Sequence, residues 1–342
     1  MSKSFLNSCT IEDLQELVKS RNLPVFRAKQ IHDWIYRKYT LELEDMSNLP
    51  KNVRSSLETD FSVTSLKVIE RAEDSEGTCK LLLALQDQET IEMVIIPSEN
   101  RITFCLSTQV GCPVGCKFCA SGRHGLMRNL SCEEILSEFL VGCNEIGRLP
   151  DNVVFMGIGE GLLNFNNLVQ AIEFMTSQDY YGLGSRRITI STSGYIPGIK
   201  KLADLEREFT LAISLHAPND EVRSLIIPDK LRSKVAEIME ASDYYLAKCN
   251  RMVTLEYTLL AGINDKIEHA EELAVLAKKH HCKVNLIPYN DTGNEYKRPA
   301  QKRINDFAEV LRKRGVTATI RNSKGSEKTG ACGQLRSRHM EN

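Results

Sequence analysis

Apolar positions along the chain change their period twice, and each change marks a unit. From residue 11 to 45 they recur at helical spacing. Leu14, Leu17 and Val18 form one face of a first helix, with Thr10 placed to cap it and Glu12 and Asp13 in the first turn, where the helix dipole favours acid. A second helix follows Pro24, with Ile31, Trp34 and Ile35 on one face and Arg27, Lys29, Arg37 and Lys38 on the other. Solvent and an RNA backbone are equal readings of that basic face. From 62 to 98 the runs SVTSLKVIERAED, GTCKLLLALQD and QETIEMVIIP are short, with turn residues at Glu73–Gly77 and Asp87–Gln88, and predict a small antiparallel sheet. Ile91, Met93 and Ile95 alternate with Glu92 and Val94, which reads Glu92 as a solvent-facing carboxylate, and Pro97 is expected to end the unit.

Beyond residue 100, strand-like and helical runs alternate. ITFCLST is followed by CEEILSEFLVGCNEIG, NVVFMGIG by NNLVQAIEFMTSQ, RRITIST by IPGIKKLAD, and FTLAISLH by SKVAEIMEASDYYLA. RMVTLEYTLL with IEHAEELAVLAKK, CKVNLIPYN with KRINDFAEVLRKRG, and a last VTATIRN complete the series. Such repetition predicts an α/β fold with a parallel sheet, about six strand–helix units and a final strand. An incomplete (β/α)6 barrel of TIM type fits better than a closed eight-fold one, with functional residues at the C-terminal strand ends. The expected divisions are a helical domain over 1–60, the β segment over 61–98, the barrel over 99–330 and a tail over 331–342.

Composition narrows the class only a little. The chain has 342 residues, 42% hydrophobic and 26% charged, enough for a sizeable core. Its net charge of -1 neither demands nor forbids a local basic surface. The first twenty residues carry no apolar signal segment and no run reaches membrane-spanning length, so a cytoplasmic protein without membrane association is expected. Eleven cysteines in a reducing compartment are expected to include metal ligands or catalytic thiols.

Three of them, Cys112, Cys116 and Cys119, form a CxxxCxxC run after the first barrel strand. Three thiolates can hold three irons of a 4Fe–4S cluster and leave the fourth open to a chelating ligand. Zinc is the alternative, with Cys105, Cys132 or Cys143 as a fourth ligand, but the three-plus-two spacing is unusual for zinc. Phe118, just before the third cysteine, suits the cluster. Gly157-Ile-Gly159-Glu160 ends the second strand, where glycine admits a close ligand and the acid can accept an ammonium. Ser191 and Ser214 end later strands near Thr192, Ser193 and His216, and either bind a cofactor or make ordinary strand-end hydrogen bonds. Cys332 lies between glycines in a polar stretch, unlike a buried structural cysteine; Cys105, between Phe104 and Leu106, fits a core strand equally well.

Taken together, FRAKQIHDWIY, CLSTQVGCPVGCKFCASG, RNLS, VVFMGIGE, LLN, ISTSG, LAISLHAPND, NLIPYN and GACGQL resemble the RlmN/Cfr family of radical S-adenosylmethionine RNA methyltransferases over nearly the whole chain. The resemblance implies a radical SAM barrel, one 4Fe–4S cluster and two S-adenosylmethionine molecules per turnover. It implies methylation of an adenine carbon, adenine-2503 of 23S ribosomal RNA, at C2 for RlmN members (some of which also modify adenine-37 of tRNA) and at C8 for Cfr members. Cys332 matches the methyl-carrying cysteine, Cys105 the cysteine that resolves the adduct through a transient disulfide, and Glu92 the proton acceptor. Gly159, Glu160, Ser191, Ser214, Leu215, His216 and Asn290 match the cofactor-contacting positions. A small electron-transfer protein as reductant and a monomeric enzyme are the further expectations. The RNA-facing candidates are Arg27, Lys29, Arg123, Arg128, Lys297, Arg298 and Lys324.

Two stretches depart from the family pattern. Gly161 stands where proline is usual after GE, and GSEKTGACGQL lacks the usual acidic–apolar pair before the cysteine. Ala120-Ser121-Gly122 lies between the two styles, while Arg128-Asn129-Leu130 is RlmN-like and favours C2.

Overall fold

The computed structural model describes residues 3–321 and 334–341; Lys324 and Cys332 lie outside the described residues. β1 (Ser4–Phe5) opens the N-terminal unit, which holds α1 (Ile11–Ser20), α2 (Phe26–Tyr36) and α3 (Lys51–Glu58) and is closed by β2 (Phe61–Ser62), paired in parallel with β1. Thr10 caps α1 as expected, and the reciprocal acid is Asp13: its carboxylate accepts from the Thr10 N–H at 2.8 Å while the Thr10 hydroxyl accepts from the Asp13 N–H at 3.1 Å. Leu14, Val18, Ile31 and Ile35 are buried between the helices. The buried Asn7 side chain donates to Glu133 O at 2.9 Å and to Ser137 Oγ at 2.8 Å, fixing this unit to the first barrel helix.

β3 (Lys67–Glu73), β4 (Cys79–Ala84), β5 (Thr90–Ser98) and β6 (Arg101–Cys105) pair antiparallel in sequence. They are not a separate small sheet. β6 also pairs in parallel with β9 (Asn152–Phe155), so one ten-stranded sheet runs from β3 to the far barrel edge. Nor does Pro97 end β5; it pairs with Ile102 inside the ladder, and the chain reverses at Glu99–Asn100. A strand admits proline where the ladder does not need its N–H.

Between β6 and β9 lie a short antiparallel pair, β7 (Gln109–Gly111) with β8 (Leu126–Asn129), and α4 (Cys132–Ile146). The parallel series continues with α5 (Phe165–Thr176), β10 (Ile188–Thr192), α6 (Ile196–Asp204), β11 (Thr210–Ser214), α7 (Asp220–Ile226) and α8 (Val235–Cys249). It ends with β12 (Thr254–Leu259), α9 (Ile267–Lys279), β13 (Lys283–Pro288), α10 (Gln301–Lys313) and β14 (Ala318–Ile320). Six strand–helix units and a last strand are what the periodicity predicted. β14 and β3 are the two ends of the sheet, which makes the barrel incomplete. The segment after Cys332 forms a helix, α11 (Gln334–Glu341), that packs on β4 and β5.

The register sorts the side chains of the antiparallel part. Lys80 pairs with Val94, Leu82 with Glu92, and Val94 with Cys105. Directly paired residues point to one face and alternate residues share it, so Lys80, Leu82, Glu92, Val94 and Cys105 lie on the same face. Met93 and Phe104 lie on the other, against Gly142 of α4, where a Cβ would meet the Met93 side chain at 2.2 Å and the Phe104 ring at 2.7 Å. α4 on one face and α11 on the other bury residues 90–95 of β5. Glu92, read from alternation as solvent-facing, is therefore interior, with 2% of its surface exposed.

Candidate active site

The cysteine run is held in a hairpin whose neck is β7 and β8. Gly111 closes it at φ +78°, and Cys112 N–H donates to Gly125 O at 2.9 Å. The strands are so close that a Cβ on Gly111 would stand 1.9 Å from that same oxygen. Inside the hairpin, Cys112, Cys116 and Phe118 pack against a cluster of Val114, Ile226, Ile227, Leu260, Tyr289 and Tyr296. Lys117 N–H donates to Ile226 O at 3.0 Å, Thr292 Oγ1 donates to Phe118 O at 3.2 Å, and the Phe118 ring stands edge-on to His216 at 4.9 Å.

The loop thus presents three half-buried thiols over the barrel's C-terminal end. Burial pushes the Cys112 thiol up to about 12, with Cys119 and Glu160 adding repulsion. Burial likewise raises Cys116 well above the usual thiol range, with Cys119 and Cys112 repelling. Protein alone leaves such thiols protonated; a bound cation is what makes them thiolates. Among the described residues no three donors converge on a point that would hold a single ion. A cluster does not require that convergence, because each of its irons takes one thiolate. Three thiols on one short loop, with no metal-holding donor group around them among the described residues, therefore fit a 4Fe–4S cluster better than a four-ligand zinc site.

The cofactor candidates ring this loop at strand ends. Gly159 and Glu160 follow β9, Ser191 belongs to the end of β10, Ser214 ends β11 with Leu215 and His216 just after it, and Asn290 follows β13. Gly159 has φ +118°, and a Cβ there would meet Thr108 and Gln109 at 2.7 Å, so only glycine lets the turn lie this close. Gly161 begins a one-turn helix (Gly161–Asn164) without the proline usual there. The Glu160 carboxylate is buried and accepts from Ser193 N–H at 2.6 Å; burial raises its pKa while that bond opposes the rise. His216 takes φ +58° and accepts from Thr258 N–H on Nδ1 at 3.0 Å. Burial, then the Arg223 charge, lowers its pKa to about 3, so the ring is neutral at ordinary pH.

Arg223, on α7, gave no signal in the sequence, since NDEVRS reads as an exposed helix start. It is fully buried and ties three strand-end carbonyls together: Ser193 O at 2.5 Å, Ser214 O at 3.2 Å, and Leu215 O. Its charge also acts on Cys116. Glu138 of α4 gives no signal either, since an acid in the middle of a helical run reads as part of its solvent face. Both its oxygens accept from Ser107 N–H, at 3.0 and 2.9 Å, steadying the segment after Cys105, and burial raises its pKa.

Cys105 ends β6 and is buried. Two positions away on the same face, Glu92 accepts from the N–H groups of Leu335 at 3.0 Å and Arg336 at 3.3 Å, in the first turn of α11. Arg336 plugs the joint, donating to Thr90 O at 2.5 Å and meeting Glu89 at 3.3 Å. Lys80 lies 3.6 Å from Glu92, with 4% and 1% of the two side chains exposed. Of the basic candidates, Lys29, Arg123, Lys297 and Arg298 are exposed. Arg123 reaches Thr292 O, which sets it beside the cysteine loop. Arg27 is half-buried and bonded to Gln30 and Asn48, and Arg128 is held by Asp87 at 2.6 Å and Glu134 at 2.8 Å.

Two family models match the chain: the radical SAM superfamily over residues 106–274 and the ribosomal RNA large subunit methyltransferase N-terminal domain over 6–63. A protein of Clostridium perfringens named a probable dual-specificity RNA methyltransferase RlmN is 43% identical over 334 residues, 97% of this chain and 96% of its own. The chain belongs to the RlmN family of the radical SAM superfamily. A relative of the same name from Thermosynechococcus vestitus is 43% identical over 95% of this chain and 96% of its own. The crystal structure of a radical SAM methyltransferase from Sphaerobacter thermophilus superimposes with a TM-score of 0.91 at 39% identity, covering 97% of this chain and 99% of that one. The family's cofactors are a 4Fe–4S cluster and S-adenosylmethionine, and the thiol loop and strand-end ring are the residues that fit them. No helix among the described residues is long and apolar enough to cross a membrane.

Proposed function

We propose that this chain methylates an adenine carbon in RNA: C2 of adenine-2503 in 23S ribosomal RNA, with adenine-37 of tRNA as a second substrate. Cys332 is the methyl carrier, Glu92 the proton acceptor and Cys105 the thiol that frees the product. These carbons are electron-poor amidine positions, which disfavours direct attack on a sulfonium methyl and calls for a radical route. When bound, the cluster and S-adenosylmethionine supply a methyl group in one encounter and a 5′-deoxyadenosyl radical in another, the electron coming from a small electron-transfer protein.

Cys112, Cys116 and Cys119 hold the cluster. Glu160, the backbone around Gly159 and the ends of β10, β11 and β13 bind and orient the cofactor. The Cys332 S-methyl loses a hydrogen atom and its carbon bonds to the adenine carbon. The adenine C–H proton passes to a Glu92 oxygen. The unpaired electron left on the ring by that addition would be taken up by the cluster. The Cys105 thiol gives up its proton and its sulfur attacks the Cys332 sulfur, so that an S–S bond forms as the S–C bond breaks. The bonding pair stays on the methylene carbon, which takes a proton to become the methyl, and methylated RNA leaves with a disulfide in its wake. The observation that carries this reading is the anchoring of α11 on Glu92 beside Cys105. Only two residues stand between Cys332 and Leu335, so the three steps of chain span at most roughly 11 Å. Lys29, Arg123, Lys297 and Arg298 suit the RNA backbone.

Mass spectrometry of ribosomal RNA from cells with and without the gene tests the target. 2-Methyladenosine at adenine-2503 that vanishes with the gene is the expected result. 8-Methyladenosine there would instead assign C8, and an unchanged nucleoside would reject this RNA as the substrate.

A further inference from the structure

Arginine is almost never fully buried unless it is paired. Arg223 is fully buried, yet what it holds are backbone carbonyls: Ser193 O at 2.5 Å, Ser214 O at 3.2 Å, and Leu215 O. Its Nε makes no bond among the described residues. Carbonyl dipoles satisfy donors but leave a net charge, and a buried charge without a counter-ion is costly. A neutral donor would tie the same carbonyls at less cost, so the charge itself calls for a reason. We infer that Arg223 is a positioning residue for electron transfer, a fixed cation beneath the cysteine loop that favours the arrival of an electron at the cluster held there. This rests on the reading of Cys112, Cys116 and Cys119 as cluster ligands.

The loop lies against α7 on both sides of Arg223. The residue after Cys116, Lys117, donates its N–H to Ile226 O at 3.0 Å, one turn further along the same helix, and Cys116 itself packs against Ile226 and Ile227. On the other side the Phe118 ring meets His216, the neighbour of the Leu215 whose carbonyl Arg223 holds. Burial lowers the Arg223 pKa to about 10 while the Cys116 sulfur opposes the fall, so the guanidinium is a cation at neutral pH. The other charges acting on it have their own partners. Asp220 accepts from Val235 N–H at 2.8 Å, and Arg232 is paired with Asp229 and donates to Ile227 O at 2.9 Å. Three thiolates give the cluster site a negative charge, and one more electron from the electron-transfer protein makes it more negative. A nearby cation in a water-poor interior stabilises that reduced state over the oxidised one, and local charge is one of the settings of an iron–sulfur potential.

The test is an electron-paramagnetic-resonance redox titration of the anaerobically reconstituted full-length enzyme without S-adenosylmethionine. Arg223→Gln keeps a donor for the carbonyls and loses the charge. Its cluster should be harder to reduce by at least about tenfold at a given poise, a potential about 59 mV lower for one electron. Arg223→Lys keeps the charge and loses the fork, and its potential should stay close to that of the wild type. A potential unchanged in Arg223→Gln, or lowered equally in Arg223→Lys, would leave Arg223 a purely mechanical tie and overturn the proposal. Should Arg223→Gln not fold, Arg223→citrulline has the guanidinium's shape without its charge; it should show the same fall, and a wild-type potential there would overturn the proposal. Iron per chain tests the underlying reading separately: a wild-type chain that takes up no cluster, or Cys116→Ala with full iron, would reject the ligand assignment and the role of Arg223 with it.

Discussion

Alanine at Gly111 and alanine at Gly125 should have very different effects, although both glycines sit at the neck of the cysteine hairpin in the left-handed region, at φ +78° and +67°. The backbone cost is common to both, about 1–2 kcal/mol for an L-residue there, and reduced freedom of the unfolded chain returns about 0.4–1 kcal/mol of it. At Gly125 nothing lies within 4 Å of the new methyl, so the net loss should be about 1 kcal/mol. At Gly111 the methyl would lie 1.9 Å from Gly125 O. Ordinary contact requires the strands to separate by more than an ångström, at about 1–3 kcal/mol of overpacking. That separation also breaks the bond from Cys112 N–H to Gly125 O, itself worth about 0.5–1.5 kcal/mol. The total is about 3 kcal/mol or more, concentrated at Cys112, the first of the proposed cluster ligands. Urea unfolding gives the stabilities, and iron per chain after anaerobic reconstitution gives the consequence for the site. Gly125→Ala should keep its iron and Gly111→Ala should lose most of it. Equal stability and equal iron in the two variants would refute the idea that the neck positions the loop.

Cys116→Ala should strip iron and abolish S-adenosylmethionine cleavage, and near-full iron would reject its role as a ligand. RNA affinity should fall with salt, log K dropping by about 0.7–0.9 per phosphate contact per log unit of salt; charge-removing variants of Lys29, Arg123, Lys297 and Arg298 should flatten that slope, and an unchanged slope would remove them from the interface. His216, held near 3 in the folded chain by burial, then by Arg223, protonates first in the unfolded one. Its stability contribution is thus complete above about 6.5 and lost as pH falls towards 3, at about 1.4 kcal/mol per unit. His216→Gln should lose that share of the slope between pH 6 and 4 in urea unfolding, and an unaltered slope would contradict the neutral ring.

Much of this architecture is written in local patterns. The strand–helix alternation after residue 100 specifies the barrel because each unit buries its own apolar face, and the cysteine spacing points to a cluster because one short loop carries all three proposed ligands. What stayed hidden depends on elements that meet from far apart. Glu92 looks solvent-facing in TIEMVIIP, but α11, some 240 residues later, covers that face. Pro97 looks like a terminator, yet it occupies a ladder position that tolerates proline. Arg223 reads as surface charge because its partners are backbone carbonyls of β10 and β11, which leave no mark on side-chain pattern. The polar QLRSRHME gives little amphipathic signal, and its helix is fixed by contacts with Thr90 and Glu92 instead.

The central claim is that the methyl travels through Cys332 and is set free by Cys105, and the purified Cys105→Ala chain tests it most directly. It can form the bond to adenine but not break it, so it should carry RNA as nuclease-sensitive extra mass on a denaturing gel. Cys332→Ala and the double variant should carry none. Cys105→Ala with wild-type turnover and no attached RNA would contradict the account.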